Sequence, residues 1–297
     1  MKKTKAFLQL MRPANIITAV SDVLAGAAIS GVLFYPSPGT NEWQHIILLC
    51  ISTIGLYGGG IVLNDVFDAE LDKAERPERA IPQGYVQINE AAALGIILLF
   101  IGITAAFFCS IYSGIIACSI AIAAVLYDKW GKHNPVTGPV NMGLCRGLNL
   151  LLGISIVTSQ LIQWWALAFI PMVYIASITM ISRGDVHGGN KNLLYAASLL
   201  YILVTGSILY FAIANKTGIY LTAIFLLLFA WTIFAPLVKA IQQPAGKNIG
   251  RAVKAGVIGL ILMNASWASA FNATYFAIII ALLLPISIGL GKVFAVT

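Results

Sequence analysis

Asn64, Asp68 and Asp72 recur at four-residue intervals just ahead of Arg76 and Arg79, in a chain that is otherwise overwhelmingly apolar. Four residues is close to one helical turn, so a helix continuing through this stretch lines the three oxygen-bearing side chains along one face. Asp65 sits about 100° round from Asn64, and Glu70 also falls off that face. Hard oxygen donors in such a row suit Mg2+, which takes one or two protein carboxylates and leaves its other positions to water and phosphate. Arg76 and Arg79 stand where paired guanidinium hydrogen bonds would clamp phosphate oxygens. The competing reading is a solvated helix end whose Asp and Arg merely pair with each other. Concentration argues against it: six of the chain's eleven Asp and Glu residues lie between 64 and 79, although charged residues make up only 10% of the whole.

The elements that position this cluster are membrane helices. Apolar residues make up 59% of the 297 and the mean hydropathy is +0.89, whereas soluble domains use roughly 45–50% apolar residues. A helix that crosses a bilayer needs about 20 apolar residues. Such runs fall at 14–34, 43–64, 90–110, 112–128, 137–158, 163–182, 193–214, 218–239, 252–271 and 274–294. The fold class is therefore all-α, a polytopic membrane helical bundle of nine to ten transmembrane helices. The fourth run is short, and the last two are joined so closely that one of them could be re-entrant. A β-barrel is excluded because the runs are continuous rather than alternating. The longest polar segment, 65–89, is too short for a soluble domain, so 1–297 reads as a single integral-membrane domain. Arg12-Pro13 interrupts the early apolar stretch, which argues against a cleavable signal peptide. Asn89-Glu90 ahead of an Ala-rich run reads as a helix start with Asn89 as N-cap.

Charge fixes the expected orientation. With Lys2, Lys3, Lys5 and Arg12 inside, alternate connections carry Lys73, Arg76 and Arg79, then Lys129 and Lys132, then Arg183 and Lys191, then Lys239, Lys247, Arg251 and Lys254. The opposite connections hold only Lys216, a bias that places the basic loops in the cytoplasm. The loop acids lie on that same side, Glu42 excepted, so the expected protein is an integral inner (plasma) membrane protein with its N-terminus and working face cytoplasmic. The net charge of +7 follows from this topology and from attraction to the anionic lipid of the bilayer. It does not point to nucleic acid, because no basic stripe or aromatic platform accompanies it. Cys50, Cys109, Cys118 and Cys145 lie within apolar runs without metal-ligand spacing and read as small core residues.

The stretch from Asn64 to Asp72, followed by Arg76-Pro77-Glu78-Arg79-Ala80-Ile81-Pro82-Gln83-Gly84, resembles the first signature of the UbiA superfamily of intramembrane prenyltransferases. Arg12-Pro13-Ala14-Asn15 resembles the entry to that family's first helix, and Tyr127-Asp128-Lys129 with Lys132 is a looser match to its Tyr-x-x-x-Lys region. The resemblance implies Mg2+-dependent transfer of an isoprenyl group from an isoprenyl diphosphate to a small aromatic or polar cyclic acceptor within the membrane. Under it, Asn64, Asp68 and Asp72 hold the metal, with Asp68 and Asp72 central to catalysis. Arg76, Arg79 and Lys132 neutralise the phosphates, and Asn15 belongs to the substrate site. The prenyl tail lies among apolar helices that keep water from a cation-like intermediate.

The second signature departs from the pattern. Ser182 to Asn192 holds a single carboxylate, Asp185. A second Mg2+ would rest on Asp185 with His187 or Asn190, or else Arg183 and Lys191 replace metal charge directly. His187 reads either as a general base toward the acceptor or as a loop histidine bonded to backbone. The form of this loop resembles the EboC-like branch of the superfamily, for which a quinone precursor is not assumed as acceptor. Deeper in the runs lie Asp22, Asn141, Arg146 and Asn149. Ionisable groups inside a membrane are expensive and are functional or paired, so Asp22, Asn141 and Arg146 read as substrate contacts or, for Asp22 and Arg146, as a structural ion pair. Tyr57, Tyr127, Tyr174, Trp164 and Trp165 offer π faces to a carbocation, the tryptophans alternatively forming an interfacial belt. The rival class is a transporter of a lipid or phosphorylated metabolite on the same scaffold, and a scaffold without chemistry would not need the Asn/Asp/Asp face.

Overall fold

A computed structural model describes residues 3–32, 41–132, 134, 137–186, 191–216 and 218–294, with the backbone alone over 183–186. The described chain is helical and contains no strand. The helices are α1 (Lys3–Met11), α2 (Pro13–Ser30), α3 (Glu42–Phe67), α4 (Ala69–Glu75), α5 (Ile88–Cys109), α6 (Ile111–Leu126), α7 (Thr137–Ile154), α8 (Thr158–Trp164), α9 (Phe169–Val186), α10 (Lys191–Asn215), α11 (Ile219–Gln242), α12 (Gly246–Ala270) and α13 (Thr274–Val293). A π-helical turn, Tyr127–Gly131, extends α6, and a 3-10 turn, Trp165–Ala168, links α8 to α9.

Each of the ten apolar runs of the sequence appears as a helix. Among the described residues, eight helical stretches are long and apolar enough to cross a membrane. The α2 segment Pro13–Ile29 is a shorter apolar helix, and α7, which carries Asn141, Arg146 and Asn149, falls outside the eight. Nine to ten spans is thus an approximate count, with α2 marginal by its length. The last two helices are both long enough to cross. Three residues join them, with Asn272 at φ 62°, the left-handed region that Asn tolerates better than most residues. The short helices α1 and α8 have no counterpart among the apolar runs. The start of α5 also differs from the sequence reading: its N-cap is Gln87, not Asn89, and the Glu90 side chain accepts from the Gln87 N–H at 3.1 Å.

The bundle is organised about α2 and α12. In the most apolar window of α12, 72% of residues are buried inside the protein, against 22% for α5, so α12 is central and α5 faces outward. Helix α2 packs on α7, α12 and α13. Its contact with α7 is backbone on backbone: a Cβ on Gly26 would come within 2.3 Å of the Leu150 carbonyl oxygen, and one on Gly153 within 2.2 Å of that of Val23. Small residues permit this close approach, as is usual between membrane helices. At the charged end, α1 lays Ala6 and Leu10 against Val62, Ala69 and Ala91, and Lys3 reaches Glu90 at 2.6 Å.

The α2–α7 contact sets the position of every polar group on those helices. Gly153→Val is expected to lower the thermal unfolding midpoint in detergent, by an overpacking penalty of about 1–3 kcal/mol. Gly206→Ala, where nothing lies within 4 Å of the added methyl, is the matched control and should unfold as the parent does.

Candidate functional site

The oxygen row survives a break in its helix. Asp68, at φ −87° and ψ 0°, separates α3 from α4, yet the Asp68 N–H still donates to the Asn64 carbonyl at 3.0 Å and the Asp72 N–H to that of Asp68 at 2.8 Å. Each side chain of the row meets a different partner. Asn64 Nδ2 donates to Asp128 Oδ1 at 2.9 Å, Asp68 pairs with Lys132, and Asp72 Oδ2 takes Arg79 Nη1 at 2.5 Å.

Asp65, off the row, is a residue whose role the spacing argument missed. It is buried, and its Oδ1 receives Arg12 Nη2 at 2.8 Å and Arg79 Nη1 at 3.3 Å. Arg12 was likewise not singled out as a site residue. Its backbone is left-handed, φ 50° and ψ 66°, a conformation costing roughly 1–2 kcal/mol for a residue with a side chain. Pro13 explains the departure from the helix, because a following proline disfavours the α conformation. The Arg12-Pro13 dipeptide was the available signal: it separates α1 from α2, and the Arg12 side chain at that break reaches Asp65.

The π turn accounts for the loose match around Tyr127. The Lys132 N–H donates to the Tyr127 carbonyl at 3.0 Å, a span of five residues in place of the α-helical four. One extra residue between Tyr and Lys is absorbed by the wider turn, as π-bulges at functional sites commonly do. The result brings Asp128 to Asn64 and Lys132 to Asp68.

Some of these residues reach a cavity of about 330 Å³, whereas Asp65, Asp68, Asp72, Arg79 and Lys132 do not line it. Arg12, Asn15, Asn64, Tyr127 and Asp128 line it where the charged ends of the helices gather. Thr53, Tyr57, Arg146 and Asn149 line it further along α3 and α7, and Leu56, Ile120, Ile178 and Leu260 supply apolar wall. Of the five aromatic candidates, only Tyr57 and Tyr127 reach it. Tyr174 is fully buried elsewhere and donates its hydroxyl to the Gly256 carbonyl at 2.7 Å. Trp164 packs edge-on against Phe211 and Phe271, and Trp165 is exposed.

The structure places Asp22 behind the cavity wall, not in it. Its Oδ2 receives Arg146 Nη1 at 2.7 Å and Asn149 Nδ2 at 3.1 Å, while its Oδ1 receives Asn264 Nδ2 at 2.7 Å. With 1% of its surface exposed and both oxygens engaged, Asp22 supports Arg146 and has no free edge for substrate. Arg146 in turn donates to Thr18 Oγ1 at 2.7 Å and to the Tyr57 hydroxyl at 3.2 Å, and lies 4.9 Å from the Tyr57 ring centre. Asn141 does not line the cavity either; its amide lies beside Gly131 in the π turn. Arg76 and Lys191 are exposed away from it. The side chains of Arg183 and Asp185, and all of His187 and Asn190, fall outside the described residues.

The donor set fits a hard cation that keeps most of its positions for other oxygens. Among the described residues no three carboxylates, histidines or cysteines converge as ligands. Asn64, Asp68 and Asp72 instead carry amide and carboxylate oxygens at successive turns, with Asn64 in the cavity lining and the two carboxylates beyond it, a sparse set that suits Mg2+ shared between protein and phosphate. Arg79 and Lys132, now on Asp72 and Asp68, are cations within reach of the same oxygens.

Residues 23–248 match the model of the UbiA prenyltransferase family. This chain belongs to that family. It is an integral membrane protein and a prenyltransferase of the UbiA type. It is 30% identical over 263 residues to the digeranylgeranylglyceryl phosphate synthase of Saccharolobus solfataricus, covering 82% of this chain and 90% of that one. Among solved structures, one concerned with digeranylgeranylglyceryl phosphate synthase in membranes superposes with a TM-score of 0.66 at 24% identity, over 92% of this chain and 100% of the other. A UbiA homologue from Archaeoglobus fulgidus bound to GPP and Mg2+ gives 0.62 at 15% identity, over 86% and 99%. At such identities the likeness shows a shared fold. None of these relatives bears on the EboC-like branch.

Because Asp22 is the counter-charge of a buried guanidinium, Asp22→Ala leaves Arg146 unpaired among helices. Breaking a buried pair in this way costs about 3–5 kcal/mol, and thermal unfolding of the purified variant should show a loss of that order. A residue acting only on substrate would lose activity at unchanged stability.

Proposed function

We propose that this UbiA prenyltransferase transfers an isoprenyl group from an allylic diphosphate to a hydroxyl of a small polar acceptor, with Mg2+, at the cytoplasmic end of one integral-membrane unit spanning 1–297. The observation that carries the reading is the rim itself: Asn64, Asp68 and Asp72 each engage a hydrogen-bonding or cationic partner beside an apolar-walled cavity. The orientation is supported by the gathering of the N-terminal, Arg79 and Lys132 charges at that same end.

When bound, Mg2+ would supply neutralisation of the diphosphate oxygens, held by Asn64, Asp68 and Asp72. With Asp68 and Asp72 holding the metal, Lys132 and Arg79 would be free to bind phosphate oxygens, with Arg12 close by and Arg76 as a further cation on the adjacent loop. Asn15 and Arg146 orient the substrates from the wall, and Asp22 and Asn141 position Arg146 and the π turn. In the second loop Asp185, with His187 or Asn190, would supply the further ligands, and Arg183 and Lys191 the cations. The C1–O bond of the allylic diphosphate breaks, the diphosphate leaves with the electron pair, and the acceptor oxygen bonds to C1 and passes its proton to the departing diphosphate. Tyr57 and Tyr127 offer π faces to the charge that develops on the allyl group. Leu56, Ile120, Ile178 and Leu260 keep water from intercepting it.

For the acceptor, the name shared by the relatives favours a hydroxyl compound of the glyceryl phosphate type over an aromatic ring. The polar wall formed by Asn15, Arg146 and Asn149 agrees with that preference. A transporter on this scaffold has no observation in its favour once the chain is placed among prenyltransferases.

Purified protein given Mg2+, labelled isoprenyl diphosphates and a panel of glyceryl phosphates, cyclitols and phenols should place label in a new lipid with the first class. Label that only crosses vesicle membranes would overturn the enzymatic reading. Asp68→Ala should reduce transfer by more than about 100-fold, the scale of losing a principal charge-stabilising group, at unchanged helix content. Full transfer by that variant would sink the metal assignment.

A further inference from the structure

Asp128 is the one carboxylate that lines the cavity among the described residues. It is 4% exposed. Its Oδ1 accepts from Asn64 Nδ2 at 2.9 Å, while its Oδ2 is buried and makes no hydrogen bond. The cations nearby are engaged elsewhere: Lys132 with Asp68, Arg12 with Asp65, Arg146 with Asp22. A desolvated carboxylate whose nearby cations are bonded to other carboxylates is unfavourable and is retained only where something offsets it. If accepting from Asn64 were its whole task, an uncharged Asn or Ser would serve without that penalty. The π turn, moreover, is what carries Asp128 to Asn64, so the unfavourable charge stands against the first residue of the oxygen row.

We infer that Asp128 supplies a further carboxylate oxygen to the divalent cation held at Asn64, through its unpartnered Oδ2. This rests on the Mg2+ reading of the preceding subsection. It gives the chain a second source of negative charge beside the metal, in the π turn that follows α6, which compensates for a second loop whose 182–192 stretch contains only Asp185 as carboxylate. The carboxylate spacing along α3 and α4 does not reveal it, because the ligand comes from another helix and sits in a turn with non-α spacing.

Mn2+ titrated into the full-length detergent-solubilised protein, with free Mn2+ read by its electron paramagnetic resonance signal and no diphosphate present, tests this directly. Asp128→Asn keeps the shape and the acceptor for Asn64 and removes only the charge. It should weaken Mn2+ binding by tenfold or more, and in metal-free buffer it should unfold at an equal or higher temperature than the parent, since an unpaired buried charge is gone. Asp68→Ala, measured alongside, separates the two claims. Mn2+ binding lost in Asp68→Ala but unchanged in Asp128→Asn would overturn this inference and leave the Mg2+ reading standing. A parent protein that binds no Mn2+ would overturn both. Weaker binding in Asp128→Asn together with a lower unfolding temperature would mean that the carboxylate serves the fold, and would also overturn it.

Discussion

A charge withdrawn from water among helices must be met by an opposite charge or by hydrogen bonds, and this requirement shapes the protein more than any other. Its strictest instance is the Asp22–Arg146 pair. Side-chain exposures of 2% and 7% leave both groups almost wholly withdrawn from water, so the surrounding helices must satisfy them. Helix α2 brings Asp22 and Thr18, α7 brings Arg146 and Asn149, α12 brings Asn264, and α3 closes the group with Thr53 and Tyr57. These four helices also build much of the cavity wall. The position of that wall is therefore fixed by polar bonds, in a setting where apolar contact with lipid gives little preference for one helix partner over another.

At the rim the same requirement is met more loosely. Lys132 and Asp68 have side-chain exposures of 12% and 16%, and Arg79 of 15%, although its partner Asp72 is at 6%. Partners that still touch water can be exchanged for others at far lower cost than a fully desolvated pair. The site thus has a fixed polar wall behind and a set of replaceable ion pairs in front. Asp65 stands between the two regimes: it is buried like Asp22, but it holds Arg12 and Arg79, which face the rim.

What could be read from the sequence follows from what each signal depends on. The helices were legible because the length of an apolar run depends only on crossing a bilayer, and all ten runs became helices. The rim row was legible because i, i+4 hydrogen bonding carried through the break at Asp68. The partners were not. Asp65 looked idle because angular position on one helix does not say what approaches that side, and Arg12 arrives from 53 residues away. Tyr174 was indistinguishable from Tyr57, since a helix surrounded by lipid and protein has no polar side from which to tell inward from outward. The extra residue in the π turn blurred the Tyr–Lys spacing at the very point where it mattered, and Gln87 took the cap because Glu90 answers it three residues later.

The Asp22 network also has a history built into it. A nascent membrane protein is threaded into the bilayer in chain order, and Asp22 emerges among the first helices. Its guanidinium partner follows 124 residues later and Asn264 follows 242 residues later. A lone carboxylate at the centre of a helix in lipid is disfavoured by about 2.5–3.5 kcal/mol on the insertion scale, so α2 has no settled position in the bilayer while it waits. Its final setting closes only when α12 has been synthesised, so the centre of the molecule is completed late, with only α13 still to follow.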